Sequence, residues 1–592
     1  MLTPSASIAP GTDILRERVW KLLVLLLFLL PLVPIPTVAE AGLTTTPEVF
    51  RFALCALATA VVALGVFILV WRGTLRIVWS PVLTGLGIWL GIRVLSTLFS
   101  GYPALAFWGT YGAPADGLGY TFCALAFFMM VMVLQPSLKE MRLLCMALVA
   151  QSLILAVATL HEAVGLGFPH LVVRPDSPFY NSDFFIIYTL LILPLGVEWL
   201  LRSVSRRSLQ VVGATAYLLV GLLAIWVSTP LQLQHQVLPN HAVQGAERVP
   251  DSVTGFLLDT SNQGRYTLWQ LALSTAKDHP LLGTGPGLFR RGFFAHAQDL
   301  PNWNYREVAA NAHNDVLEQL ATTGFLGLAA YLFWGVWAAG HFRRLRRRDG
   351  DVRSLAGALI AGLVLSLLFS EVFFFTVVSG LIVWVWVALL LGLASTGDAL
   401  PDRLEKYVKG LVVLSVSCLF VLAWGALRHY QADQADTRML AAGNRGDYVQ
   451  AAGYAEQGAS LFPFEASYAK AASNYILLTM LVGKVRAVDV PNTLQRVDAY
   501  AKKAVQLEPF NPDLAVNLGI IHYVTAEPGS SSESAALDEL KRALTRSPYN
   551  DQAYQRVLQT IKLKGPADQV QKREQGLLDG TPRLLQIKLQ NS

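Results

Sequence analysis

Long apolar runs dominate the chain up to residue 427 and then stop. A bilayer core takes roughly 20 mostly apolar residues per helix, which predicts about eleven spans here. They lie near 19–37, 50–71, 75–99, 118–135, 140–164, 184–202, 208–227, 315–340, 354–372, 377–396 and 408–427. Only one connection is long, 228–314. Loops of that size without elements of their own are functional or disordered, so chemistry is expected there. The first run is too long for a cleavable leader and lacks a small-residue cleavage site, so it is read as a span.

From residue 428 onward the apolar positions recur with helical period. In "VDAYAKKAVQLEPFNPDLAVNLGIIHY" (497–523), Ala501, Ala504 and Leu507 share one helical face, Pro509 and Pro512 break the helix, and a second helix follows. "ALDELKRALTRSPYNDQAYQRV" (536–557) repeats the plan, and "YVQAAGYAEQGASLFPFEASYAKAA" (448–472) is a fainter copy. This pattern resembles tetratricopeptide repeats, whose stacked helix pairs offer a surface to a protein partner. "AEPGSSSES" is expected to be a flexible insertion.

Composition agrees with the pattern. The chain has 592 residues, 53% hydrophobic and only 15% charged, with mean hydropathy +0.44. Soluble domains carry about a quarter charged residues. The expectation is an all-α polytopic membrane bundle (1–427) followed by a helical-repeat domain (428–592). The net charge of +6 matters less than its placement. Arg16/Arg18, Arg72/Arg76, Lys139/Arg142, Arg202/Arg206/Arg207 and "HFRRLRRRDGDVR" (341–353) all fall on one side if the N-terminus is cytoplasmic. With eleven spans the repeats then lie outside the plasma membrane. Arg93, Glu162, Asp183 and Glu371 gather toward the outer ends of their spans, as around an outward-facing polar cavity. The four Cys sit in apolar runs, so neither a disulfide framework nor a structural metal site is expected. No cofactor and no nucleic-acid partner is expected either.

Order returns late in the long loop. "NQGRYTLWQLALSTAKDHPLLGTGPGLFRRGFF" (262–294) opens with Arg265, and Tyr266, Trp269, Leu271 and Leu273 suit an amphipathic helix on or near the membrane. "GTGPGLF" lacks the Lys-Ser/Thr of a P-loop. With Arg290 and Arg291 after it, its amides at Gly285 and Gly287 are candidates for an anion contact; alone, it reads as a tight turn. "ANAHNDVLEQLATTGFLG" (310–327) then places polar residues where an apolar run begins. Asp315 and Glu318 approximate a capping box, with Asn311 or Asn314 as alternative caps. His313 therefore stands at the N-terminus of a span, where the helix end disfavours imidazolium and attracts anions. A neutral His there can serve as general base, or simply help to cap.

The order "GRYTLWQLAL", "HPLLGTGPGLF", "AHNDVLEQLATTGFLGLAAYL" resembles the O-antigen ligase and O-antigen polymerase superfamily of membrane glycosyltransferases (the Wzy_C domain). Arg265, Trp269, Pro280, Gly283, Gly285, Gly287, Phe289, Ala312, His313, Asn314, Leu317, Glu318, Gly324 and Gly327 fit its pattern, and the span layout extends the likeness over about 100–395. "FYNSDFF" stands where the family often has Asn-Pro-Asn, and "IWVSTP" where it often has Ser-Arg-Gly. The resemblance implies transfer or polymerisation of glycan from an undecaprenyl-diphosphate carrier at the outer face of a bacterial plasma membrane. The acceptor would be a glycan, a lipid or a protein. His313 would be the base and Arg265 the first choice for the diphosphate, with Arg174, Arg290 and Arg291 behind it, Asn314 beside the base, and no metal. The competing readings are a glycolipid flippase or transporter, and a scaffold displaying the repeats. A transporter should show related halves and midplane charges, whereas the spans show no internal repeat and the charges lean outward; a scaffold does not explain His313, Arg265 and the Gly-rich turn together.

Overall fold

The computed structural model describes residues 10–33, 35–38, 43–75, 78–79, 81–163, 182–203, 206–228, 260–296, 309–370, 375–394, 398–399, 402–546, 551–563 and 573. The fold is all-helical apart from two antiparallel ladders of two-residue strands, Thr37–Val38 with Leu43–Thr44 and Val78–Trp79 with Asp398–Ala399. Helices α1 to α8 are Pro10–Leu29, Pro47–Trp71, Pro81–Phe99, Pro103–Trp108, Leu118–Leu134, Leu138–Ala163, Ser182–Ser203 and Arg207–Ser228. In the long loop lie α9 (Thr260–Asp278) and α10 (Phe289–His296). Then come α11 (Asp315–Phe342), α12 (Gly350–Ser370), α13 (Val377–Ala394) and α14 (Asp402–Asn444). The C-terminal region is α15 (Tyr448–Leu461), α16 (Ala466–Leu481), α17 (Val490–Leu507), α18 (Pro512–Thr525), α19 (Ser531–Thr545) and α20 (Asp551–Leu563).

Each apolar run of the sequence falls in a helix. Among the described residues, nine helices are long and apolar enough to cross a membrane. The other two runs fall on Leu118–Leu134, apolar but shorter, and on Pro10–Leu29, which carries Arg16, Glu17, Arg18 and Lys21 and ends at Leu29, short of the expected 37. Burial orders the bundle: 83% of α13 is inside against 22% of the α8 window. Around α13, Trp384 stacks obliquely on Trp89 and Trp334 with ring centroids 5.7 and 5.2 Å apart. Lipid is as apolar as leucine, so close packing and internal hydrogen bonds must hold such helices together. Two carboxylates supply that glue. Glu48 of α2 accepts the Val377 amide at the start of α13 (2.9 Å) and pairs with buried Arg51 (3.2 Å). Asp433 of α14 accepts the Thr46 amide (2.7 Å), the Thr46 hydroxyl (2.6 Å) and the Tyr111 hydroxyl (2.6 Å).

Helix α14 has 43 residues. At 1.5 Å per residue it is about 65 Å long, twice the hydrocarbon thickness. Its first part packs on the bundle through α2 and its last part on α15. Beyond it, α15 to α20 pack each on the next, with Val497, Ala501, Ala504 and Leu540 buried between them. Turns break where the prolines stand, after Leu461, Leu507 and Thr545. The expected flexible insertion is otherwise: Ser530 caps α19 by accepting from the Glu533 amide (3.2 Å), so Ser531–Ser534 form its first turn. Ser is a strong N-cap, and Glu533 closes the box by accepting from Gly529 N–H (2.8 Å).

Candidate active site

Helix α11 is broken one third of the way along. Gly324 takes φ 68°, ψ −171°, outside helical space. Only glycine takes such angles without strain. The break lets the α9–α10 turn in. Phe325 N–H donates to Pro280 (2.7 Å), and the amides of Thr284 and Gly285 donate to the carbonyls of Ala321 (3.1 Å) and Thr322 (2.9 Å). Ser96 of α3 donates to the Leu282 carbonyl (2.6 Å), which ties a third segment to the knot. A Cβ at Gly283 or Gly324 would strike the backbone of Thr322 or Leu281. Irregular backbone is tolerated at membrane depth only inside protein, and this turn meets that condition.

The Gly-rich turn is therefore a fold element. Gly285 N–H is spent on Thr322. Positive-φ Gly287 packs on Gly109 of the loop between α4 and α5. Neither lines the crevice that holds His313, so the expected anion cradle at Gly285 and Gly287 gives way to an interlock with α11. The amphipathic face of α9 also differs from expectation. Leu268, Leu271 and Ala272 are buried with Phe289, Phe293, Ala312 and Ala321, while Tyr266 and Leu273 are exposed. The inward face is set by α10 and α11.

The start of α11 is organised around the Ala312-His313-Asn314 step. Asn314 is the N-cap, its side chain accepting from the Leu317 amide (2.8 Å). Glu318 reaches back to the Ala312 amide (2.8 Å). Asp315, offered as cap from the sequence, instead accepts from Tyr331 (2.6 Å). Asn311 accepts from the His313 amide (3.3 Å) and donates to Asp116 (3.2 Å). Between the two caps His313 adopts φ 50°, a left-handed conformation that non-glycine residues seldom take. Burial, and then the positive charge of Arg265, lower its pKa from 6.5 to about 4. Arg265 stands one turn before Leu268 on α9, and the buried face of that helix brings it within electrostatic reach of His313.

His313 faces a crevice of about 580 Å3 between α3, α5, α11, α12 and α13. Its polar end holds Arg93, Asp116, Asn311, Asn314 and Gln319. Arg93 donates to Gln319 (3.3 Å) and to the Asp116 carbonyl (3.1 Å), and lies 5.2 Å over the Trp89 ring. Burial raises the Asp116 carboxyl from 3.8 to about 7, against the pull of Asn311 and Arg93. The other end is apolar and follows α11 and α12. Leu332, Val336, Val364 and Leu367 there are exposed on the flank of the bundle. One cavity thus joins a charged head to a greasy side opening.

Of the residues expected at the site, His313 and Asn314 line the crevice, whereas Arg265 is not among its lining residues and acts on His313 through its charge. Arg290 and Arg291 do not line the crevice. Arg290 acts on buried Glu465 of the repeat region, and Arg291 donates to the Ser100 carbonyl (2.8 Å) and lies 5.6 Å over the Tyr102 ring. Arg174 and Glu371 lie outside the described residues. Asp116 was not anticipated. Its signal was weak: one acid in a loop with few charges, "YGAPADGLGY". Arg93, expected from the sequence beside a polar cavity, does line this one.

No curated protein matches the chain. Residues 184–332 match the family model described as O-antigen ligase. That matched segment contains Arg265, the interlocking turn, the break at Gly324 and His313, so the similarity falls on the part of the chain that builds this crevice.

Proposed function

We propose that this bacterial membrane protein transfers or polymerises glycan from an undecaprenyl-diphosphate carrier, with His313 as general base and Arg265 on the diphosphate. The observation that carries the reading is the shape of the crevice: a polar end beside His313, continuous with an apolar limb open on the flank of the bundle. A polyprenyl tail suits the limb, and the sugar-phosphate head suits the end. Guanidinium is well formed for phosphate. In the reaction the acceptor hydroxyl oxygen bonds to the anomeric carbon and the bond from that carbon to the phosphate oxygen breaks. The electron pair leaves on the diphosphate and the hydroxyl proton goes to the imidazole of His313. Direct displacement inverts the anomeric centre. The diphosphate leaves well unaided, and the mechanism assigns no metal.

Burial and Arg265 keep His313 unprotonated before the donor arrives. A bound diphosphate screens Arg265 and raises the basicity of the imidazole. The base is thus strengthened by the substrate it serves. In this reading the N-terminus is cytoplasmic, the active site and the tetratricopeptide-like repeats are extracytoplasmic, and the repeats hold a protein acceptor or an assembly partner.

The test uses protein in nanodiscs with lipid-linked oligosaccharide, beside His313→Ala. Products that form a size ladder in the wild type and vanish in the variant support a polymerase; transfer only after an acceptor is added supports a ligase. Undiminished product from a folded His313→Ala protein would sink the general-base role.

A further inference from the structure

A second cavity, about 380 Å3, lies at the seam between the outer loop and the repeat region. It falls within the usual size range of small-ligand pockets, about 300–1,000 Å3. His279, Arg291 and His296 line it from the loop side, and Arg546 from the end of α19. The acid among its lining residues is Asp278, matched to His296 at 2.9 Å. Arg291 and Arg546 therefore leave the pocket with positive charge. Phe294 and Phe510 add aromatic surface.

The seam is a packed joint. Phe510, in the turn between α17 and α18, meets Tyr102 at 5.2 Å and Phe294 at 6.4 Å, and contacts the cores that hold Phe293 and Leu288. The turn between α15 and α16 presents Glu465 to Arg290 of the loop. Thirteen residues of α9 separate Asp278 from Arg265, about 20 Å of helix. A glycan several sugars long spans that distance.

We infer that this seam binds an acidic sugar segment, carboxylate- or phosphate-bearing, of the glycan whose other end lies at His313. Arginines and histidines supply charge-assisted hydrogen bonds to the acid, and the phenylalanine rings pack against the apolar C–H face of a pyranose. The inference rests on the glycosyltransferase reading. It makes the repeat region part of a glycan-binding surface as well as a platform for proteins.

The test measures binding, without turnover, to full-length protein in nanodiscs. The probes are a lipid-free disaccharide containing glucuronate, its neutral glucose counterpart, and inorganic phosphate. The expectation is saturable binding of the acidic disaccharide, at least tenfold weaker for the neutral one. Arg546→Glu should lose at least tenfold, and Arg546→Lys should restore most of it. Equal binding by Arg546→Glu, or no saturable binding, would overturn the site. Competition by phosphate as strong as by the acidic disaccharide would overturn its sugar specificity. Lipid-linked oligosaccharide is assayed separately for transfer. Intact seam binding with no transfer under any acceptor would count against the transferase reading alone.

Discussion

Two aspartates, Asp433 fully buried and Asp116 half-buried, contrast an anchoring carboxylate with one that faces a cavity. Asp433 has both oxygens engaged, by the Thr46 amide, the Thr46 hydroxyl and the Tyr111 hydroxyl. Its partners are the N-cap of α2 and the loop between α4 and α5, and it fixes their meeting point on α14. Asp116 sits beside a cavity, taking Asn311 on one oxygen. Its neighbours Arg93 and His313 line the same space. A saturated carboxylate is an anchor. A carboxylate facing a cavity, beside a cation and an imidazole, is available to a ligand. A buried polar group is costly unless satisfied, so the second arrangement persists where a substrate completes it.

The contrast can be broken by exchanging the expected phenotypes. His313→Ala should lower transfer by roughly 100-fold or more, the usual range for a general base, and leave the melting temperature in detergent unchanged. Asp433→Ala should do the reverse. Orphaned buried donors cost roughly 1–3 kcal/mol each, so this variant should melt earlier while the surviving folded fraction keeps its kcat. A stable, inactive Asp433→Ala protein would place the anchor in the chemistry and remove the distinction.

Smaller effects sharpen it. The free-enzyme acid limb of kcat/KM should lie near pH 4, the lowered value of His313. Arg265→Gln removes one of the two causes, so the limb should move up toward 6.5. An unmoved limb would detach Arg265 from the base. Asp116→Asn tests the other side of the crevice. Burial holds the Asp116 carboxyl at about 7 instead of 3.8, so the folded state favours its protonated form. Its contribution to stability is full below pH 3.8 and is lost as pH rises to about 7. The Asn variant should flatten that part of the stability profile, read by denaturation between pH 4 and 8.

The smallest effect lies in the repeat region. His522 bridges Glu539 (2.7 Å) and Asp498 (2.9 Å), and its pKa is raised, chiefly by the hydrogen bond to Glu539. The bridge stabilises fully below 6.5 and is lost as pH rises through the raised value. His522→Gln should lose a little thermal stability at pH 6 and less at pH 9. Equal losses at both would show that the bridge works without charge.

The helices were legible because apolar runs of span length and proline-punctuated helical periods are local patterns. The motif around His313 was legible for the same reason: the capping residues and His313 lie within eight positions, 311–318. Even there, the choice among Asp315, Asn311 and Asn314 as cap depended on which side chain found another partner, and Asp315 found Tyr331. The glycines of "GTGPG" marked special backbone without saying what approached it. What approached was the broken middle of α11, forty residues on.

The sequence by itself determined the long apolar helices, the shorter helices after them and the capping residues around His313, because hydropathy, helical period and caps act between near neighbours. Only the tertiary structure decided that Arg93 and Asp116 line one crevice with His313, that the Gly-rich turn interlocks with α11, and that Arg290 and Arg291 turn toward the C-terminal helices. Those contacts join residues up to more than two hundred positions apart, such as Arg93 and Gln319. They exist because the break at Gly324 admits one particular loop, a geometric fit that no local pattern encodes.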